Sequence, residues 1–580
     1  WSSDVCSSDL NWYLNDYWTV KGQFSVTKKY SKSEKFIDPL SSKTSVTGSK
    51  DNNLAGDLYT TNGESLDWNS NAFLYYTRSF NKQHNLNVSA GWEAASGTTE
   101  STNAHYRGFP SGEFHSLNYA AEVYKKPTRT ENTTRRVSVL ASANYTWNDI
   151  YLVDASVRFD GSSEFGANQK WAPFFSGGLG VNIHNYDFFK SNGYINKLKL
   201  RASYGRTGKV NFPAYAATTM YETLFDEWYI TGYGAVLKAL GNKDLTWEKT
   251  DKLSVGIETK TFHDRLTVDF EYYYNKTIDL VNDVTLSQTS GFSTYKDNMG
   301  QVANKGVELK LRADIYRDRN WNVALWGNMA HNKNEILKIS DSQKAYNERV
   351  AAYYKNEALY QETLGLSHGA EYSVPLPQYE EGASLTSIWA VRSLGIDPTT
   401  GKEIFLNRDG SIADKWNAAQ EVVVGNTEPK CSGAFGLNLS YKNWTLFASF
   451  LYEWGGQEYN QTLVNNVENA DLVNKNVDLR VLTDRWKKPG DIAQFKDIKD
   501  RGMTTLPTSR FVQDKALVRL NSLNVSYDFN RDWIKKHLRM NLLRLEASTS
   551  DLINWSSIKQ ERGLSYPRSW KVEFSLKAQF

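Results

Sequence analysis

Side chains able to do covalent or metal chemistry are present in this sequence, but not at the spacings such chemistry requires. Gly205, Gly208 and Lys209 superficially resemble a phosphate-binding loop, yet the run lacks both the long gap between glycines and a hydroxyl residue after the lysine. There is no GxSxG nucleophile elbow and no HExxH metal pair, and the 8 histidines are scattered. Asp397 and Asp409 could be imagined in a calcium loop, but that segment lacks the alternating acidic ligands and the closing glutamate. Two turns of a loop hairpin describe it better. Asp160, within DGSS, is read as a turn residue in preference to a ligand. Cys6 and Cys431 have no CxxC and no neighbouring histidine pair, so they are read as two unrelated thiols. The residues assign no catalytic group, no metal and no cofactor, and the chain is expected not to be an enzyme.

Composition then asks what elements could carry this chain. It is 40% hydrophobic and 14% aromatic, with a mean hydropathy of -0.58. No stretch approaches the ~18 uninterrupted apolar residues of a spanning helix. A membrane β-barrel escapes that test, because only every second side chain faces lipid and aromatic residues gather at the two interfaces. The net charge of +3 is small, and no basic run suggests nucleic-acid binding.

The strand signal is strong at the end of the chain. Trp570, Val572, Phe574, Leu576, Ala578 and Phe580 alternate with Lys571, Glu573, Ser575, Lys577 and Gln579. The same period of two builds hairpins. Val137, Val139, Ala141, Ala143, Tyr145 and Trp147 lead to Asn148-Asp149, which tolerate positive φ, and Tyr151, Val153, Ala155, Val157 and Phe159 return. Leu253, Val255 and Ile257 rise to a turn at His263-Asp264 and return through Leu266, Val268, Phe270, Tyr272 and Tyr274. Phe435, Leu437, Leu439 and Tyr441 pass Lys442-Asn443 into Trp444, Leu446, Ala448, Phe450 and Tyr452. Asp154, Arg158, Glu308, Lys310 and Arg312 take the opposite parity and are expected to face a wet lumen.

Connection lengths alternate. Short turns are expected near residues 82, 148, 190, 263, 318, 442 and 533. Long connections are expected over about 97 to 135, 161 to 172, 207 to 250, 278 to 303, 332 to 431, 455 to 515 and 551 to 569. Outer-membrane barrels show this order, with short periplasmic turns and long extracellular loops. The reading is an all-β, antiparallel transmembrane barrel of roughly sixteen strands, with Phe580 at the periplasmic rim. The opening WSSDVCSSDL fits no strand or helix pattern, and the chain starts without Met or a signal peptide. Residues 1–10 are therefore expected to be a non-native segment, and residues 11–580 the barrel domain of a fragment.

Several stretches resemble one family. YLVDASVRFDGSSEFG (151 to 166), LKLRASYGRTG (198 to 208), LTWEKT (245 to 250), GQVANKGVELKL (300 to 311), GIDPTTGKEIFLNRDG (395 to 410) and SYPRSW (565 to 570) are similar to the SusC/RagA group of TonB-dependent outer-membrane transporters of Bacteroidetes. The resemblance covers most of residues 130 to 580. Its one departure is GRTGKV, where the family usually has Asn after the second Gly. It implies uptake of large nutrients, oligosaccharides or peptides, in concert with a SusD-like surface lipoprotein. Energy would come from TonB-ExbB-ExbD acting on a plug domain absent from this chain, which is expected to be the C-terminal part of a 22-stranded barrel. A passive porin-like channel, or a receptor or adhesin without transport, are the alternatives.

If such a barrel binds a sugar, aromatic rings in the extracellular loops offer flat apolar platforms. Candidates are Tyr221, Trp228, Tyr229 and Tyr233 in one loop, Tyr353, Tyr354, Tyr360 and Trp389 in a second, and Trp454 and Tyr459 at the start of a third. The alternative is that they pack loops together or against the lid. Trp454, with Tyr452, equally fits an interfacial aromatic girdle.

Overall fold

The computed structural model describes residues 2–41, 43, 54–190, 193–210, 212–285, 294–298, 300–341, 343–345, 347–348, 352, 374–470, 472, 477–499, 505–559 and 569–579. They form two compact units, one of Trp1–Leu179, Gly205–Lys249 and Val281–Asn298, the other of Gly180–Tyr204, Thr250–Leu280 and Met299–Phe580.

The first unit is an antiparallel run of Ser2–Tyr13, Trp18–Ile37, Asp57–Phe80, His84–Arg107, Glu122–Trp147, Tyr151–Ser162 and Trp171–Asn182, each strand laddered to the next. Its tight turns use positive φ, at Asn81 and Lys82 and, as the sequence suggests, at Asn148 and Asp149 (53° and 57°). The alternating apolar residues share one face. Val139 there is 56% exposed and Trp92 44%, an apolar surface left open along whole strands and suited to lipid.

Four of these strands are far longer than a membrane needs. They hold 20, 24, 24 and 26 residues, where a bilayer requires about 9–11. The expected connection over 97 to 135 is corrected accordingly: pairing continues to Arg107 and resumes at Glu122. Above the apolar band both faces meet water, so hydrophobic alternation vanishes, while the ladder and β-branched threonines persist. The opening segment is paired as well. Ser2–Tyr13, which fits no strand pattern, pairs from Ser2↔Tyr30 to Tyr13↔Thr19. A main-chain ladder asks for no apolar alternation.

The antiparallel strands of the second unit are Ile195–Lys209 as far as Tyr204, Glu248–Thr261 from Thr250 on, Leu266–Ile278, Gln301–Arg317, Trp321–Lys338, Cys431–Tyr441, Trp444–Tyr459, Val512–Asp528, Leu542–Thr549 and Val572–Gln579. With the short Asn554–Ser556 beside Val512–Asp528, the two runs hold 18 strands, more than the roughly sixteen expected. Phe580 lies outside the described residues, but the alternating strand before it pairs as Leu545↔Leu576 and Ala547↔Phe574. The short turn expected near 533 is a helix, Arg531–Leu538, whose cap Asn530 accepts from the Asp532 and Trp533 N–H groups. Trp321 packs on Tyr441 at 4.2 Å and Trp444 on Tyr527 at 4.8 Å, at strand ends next to short turns, as an interfacial girdle requires.

The connection over 332 to 431 is not a plain loop. Ser387–Ile396, Glu403–Leu406, Ile412–Ala413 and Glu421–Asn426 form a four-stranded sheet of their own. Among the described residues no helix is long and apolar enough to cross a membrane.

Candidate functional site

The signature stretches are where side chains are most elaborately placed. In the first unit, Arg158 donates to Asp160 at 2.5 Å and Ser138 at 2.8 Å, and pairs with Glu93 at 2.9 Å. Gly161 has no alternative, because a Cβ there would lie 2.6 Å from the Trp171 ring. Ser162 Oγ and Arg136 both donate to Glu164, at 3.2 and 3.1 Å. Phe165 then turns inward, stacking on Trp247 at 4.2 Å and meeting Phe212 edge-on at 5.3 Å. A Cβ on Gly208 would fall 2.2 Å from the Phe174 ring, and one on Gly166 would fall 2.1 Å from the Lys243 carbonyl. Leu245 is fully buried in this cluster. Three stretches distant in sequence, RFDGSSEFG, GRTG and LTWEKT, thus build one hydrophobic core at the end of the strands away from the tight turns. The buried Glu248 ties in a further segment by accepting from the Val281 N–H at 3.0 Å.

In the second unit, NKGVEL supplies the hub of an amide ladder. Asn304 accepts from Asn332 at 3.1 Å and from Asn334 at 2.9 Å, and Asn332 accepts from the Tyr273 hydroxyl at 3.0 Å. Glu428 accepts from the Asn334 N–H at 3.1 Å and from the Asn332 amide. Gly306 admits the Tyr273 ring, since a Cβ would sit 2.7 Å from its hydroxyl.

The Asp397 and Asp409 segment forms the two turns the sequence suggests. Asp397 accepts from the Thr400 hydroxyl at 2.7 Å and the Thr399 N–H at 2.9 Å, and Asp409 from the Ser411 hydroxyl at 2.7 Å and its N–H at 2.9 Å. These bonds hold both carboxyls below their usual range. Gly401, at φ +73°, lies under the Trp486 ring, whose N–H donates to the Pro398 carbonyl at 2.9 Å. Glu403 reaches Arg510, which also binds the fully buried Glu468 at 2.7 Å. Burial opposes the charge on Arg510, and the two carboxylates outweigh it, raising its pKa. This triad borders a core of Leu463, Val464, Val467, Val481, Phe495 and Phe511.

A cavity of about 970 Å³ opens between the loop sheet and the ends of Trp321–Lys338, Trp444–Tyr459 and Val512–Asp528. Two candidate aromatics line it, Trp454, 69% exposed, and Trp389, 3% exposed. Around them stand Asn334, Glu428, Lys430 and Asp514. The other candidates are dispersed. Tyr459 packs on Phe511 at the edge of the loop core. Tyr221 and Tyr233 are exposed on a separate hairpin, Met220–Tyr229 with Gly232–Ala239, in the first unit. The side chains of Trp228 and Tyr229, and all of Tyr353, Tyr354 and Tyr360, lie outside the described residues. The amide ladder, Glu428 and Asp514 escaped the sequence reading, because single Asn and Asp residues in polar stretches carry no spacing signal. Among the described residues no group of three His, Cys, Asp or Glu side chains could hold a metal ion.

Known proteins are similar to this chain in sequence and in fold. Residues 3–542 match the family "TonB dependent receptor-like, beta-barrel". TonB-dependent receptor P39 of Formosa agariphila is 26% identical over 566 residues, covering 89% of this chain and 53% of its own length. TonB-dependent receptor SusC of Bacteroides thetaiotaomicron is 29% identical over 255 residues, 42% of this chain and 25% of SusC. The chain spans about half the length of the first of these relatives. In fold it resembles the RagAB peptide importer in its closed-closed state, with a TM-score of 0.79, 22% identity, and coverage of 100% of this chain and 62% of that one. Ladder, lipid-facing band and family match agree: this chain is an outer-membrane protein belonging to the TonB dependent receptor-like β-barrel family, and resembles its SusC and RagA members.

Proposed function

We propose that this chain is the barrel portion of a transporter that imports oligosaccharides or peptides across the outer membrane, powered through TonB and working with a SusD-like surface lipoprotein. No catalytic step is assigned to it. The family match over residues 3–542 carries this reading, and the likeness to SusC and to the fold of a peptide importer supports the class of cargo. The 970 Å³ cavity is the best-supported place for cargo to touch this chain. Its exposed Trp454 offers a platform, and Asn334, Glu428, Lys430 and Asp514 offer hydrogen bonds of both senses. Tyr221 and Tyr233 stand as a second, separate contact. The test is uptake of labelled oligosaccharide and of labelled peptide by cells carrying the protein, with and without tonB. Loss of uptake on deleting tonB is expected; unchanged uptake would make the protein a passive channel, and binding without uptake a receptor. Trp454→Ala should weaken cargo binding roughly 2- to 12-fold, from the 0.5–1.5 kcal/mol an aromatic contact contributes.

A further inference from the structure

The four tall strands of the first unit differ on their two faces beyond the lipid-facing band. On the face continuous with Val137, Val139 and Trp92, successive cross-strand rows read Lys28, Leu66, Thr98, Thr133, then Tyr30, Glu64, Glu100, Glu131, then Lys32, Asn62, Thr102, Arg129. The opposite face reads Lys29, Ser65, Thr99, Asn132, then Ser31, Gly63, Ser101, Thr130, then Ser33, Thr61, Asn103, Thr128, with Lys29 its one charge over these rows. The charged face carries a groove of about 560 Å³ lined by Tyr30, Lys32, Asn62, Glu64, Glu100 and Thr102.

The charges on the groove face other than Glu131 are matched in pairs. Lys28 meets Glu64 at 2.8 Å, Lys32 meets Glu34 at 2.9 Å and Arg129 meets Glu100 at 2.5 Å. Such a surface has little net pull on an ion. It presents donors and acceptors side by side with the 41% exposed ring of Tyr30, a combination suited to sugar hydroxyls and the apolar face of a sugar ring.

Height identifies which sugar. Asn62 lies four residues beyond Leu66, the last exposed large apolar residue of its strand on this face, Leu58 further on being buried. At about 3.3 Å per residue and a tilt of roughly 40°, the groove stands about 10 Å above the acyl region. A phospholipid headgroup layer is only about 5–8 Å thick per leaflet. A lipid whose acyl chains lie against the band must carry a taller headgroup to reach Asn62. We infer that this groove holds the saccharide headgroup of an outer-leaflet glycolipid, seated on the same strands whose apolar rows contact its acyl chains.

The experiment uses the protein purified from outer membranes in detergent and stripped of glycolipid, with purified lipopolysaccharide as the probe. Retained glycolipid is quantified by mass spectrometry. Asn62→Trp fills the groove, Tyr30→Ala removes its platform, and Thr61→Val changes the opposite face. Retention should fall at least tenfold in Asn62→Trp and several-fold in Tyr30→Ala, with no change in Thr61→Val. Should Asn62→Trp fail to fold, as judged by heat-modifiable migration, Tyr30→Ala carries the reading. Undiminished retention in folded groove variants would overturn the inference. So would equal retention of phosphatidylethanolamine, or equal binding of the free core oligosaccharide without acyl chains, which would make the groove a site for soluble sugar.

Discussion

Arg510 is the perturbation most sharply defined by its surroundings. Its guanidinium donates to Glu403 at 2.9 and 3.1 Å and to Glu468 at 2.7 and 3.3 Å, and the three side chains are 11, 7 and 0% exposed. In Arg510→Ala two buried carboxylates are left facing each other with no cation between them. Breaking a buried pair in this way costs about 3–5 kcal/mol. The loss falls on the loop core, because Glu403 belongs to the hairpin at 395–410 and Glu468 to the turn at 464–468. The assay is tryptic cleavage after Lys487, an exposed residue of that loop, in protein embedded in outer membranes. When opening is fast, cleavage tracks the open population, so 3–5 kcal/mol becomes an acceleration of roughly a hundred- to several-thousand-fold. Glu468→Gln should cost less, about 1–3 kcal/mol, because Glu403 still satisfies the arginine. Replacing all three with apolar residues of similar volume should be close to neutral. An acceleration below tenfold in Arg510→Ala, or a triple variant as labile as the single, would refute the reasoning.

Burial pushes the Glu421 carboxyl up to about 7 from an ordinary 4.5. The unfolded chain therefore ionises first, and the loop sheet should lose about 3 kcal/mol of stability as pH rises from about 4.5 to 7, with no further loss above. Hydrogen exchange of the 421–426 strand across that range should show the loss, and Glu421→Gln should flatten it. Phe165→Ala removes the ring joining Trp247 and Phe212 and should cost about 3–5 kcal/mol, seen as a lower temperature of heat-modifiable migration. Gly166→Ala drives a Cβ against the Lys243 backbone carbonyl, which cannot rotate away, and should cost about 1–3 kcal/mol in the same assay.

Where one face of a strand met lipid, the fold could be read from the residues alone. Val139↔Phe159 and Phe435↔Phe450 are paired as their alternation suggests, because lipid on one side imposes a period of two. Ser96–Thr102 against Arg129–Arg135 was illegible, since water on both sides imposes none. The signature strings could be recognised, but not that Phe165, Gly208 and Trp247 meet, since a string carries no distance. Trp389 had the composition of a loop aromatic, yet lies 3% exposed in a sheet that only long-range pairing with Trp389↔Val423 creates. Sequence composition alone could not separate it from Trp454.

The tall wall of strands has a consequence for how this protein changes over time. Its side chains between the lipid and the buried cluster at Leu58 and Phe109 are held by the backbone ladder beneath them and by partners across it. Antibodies, phages and neighbouring cells meet this surface first, and here identity can turn over without disturbing the membrane portion. The currency of that drift is the pair: exchanging Lys28 and Glu64 preserves the match, whereas altering either one strands a charge on the crest.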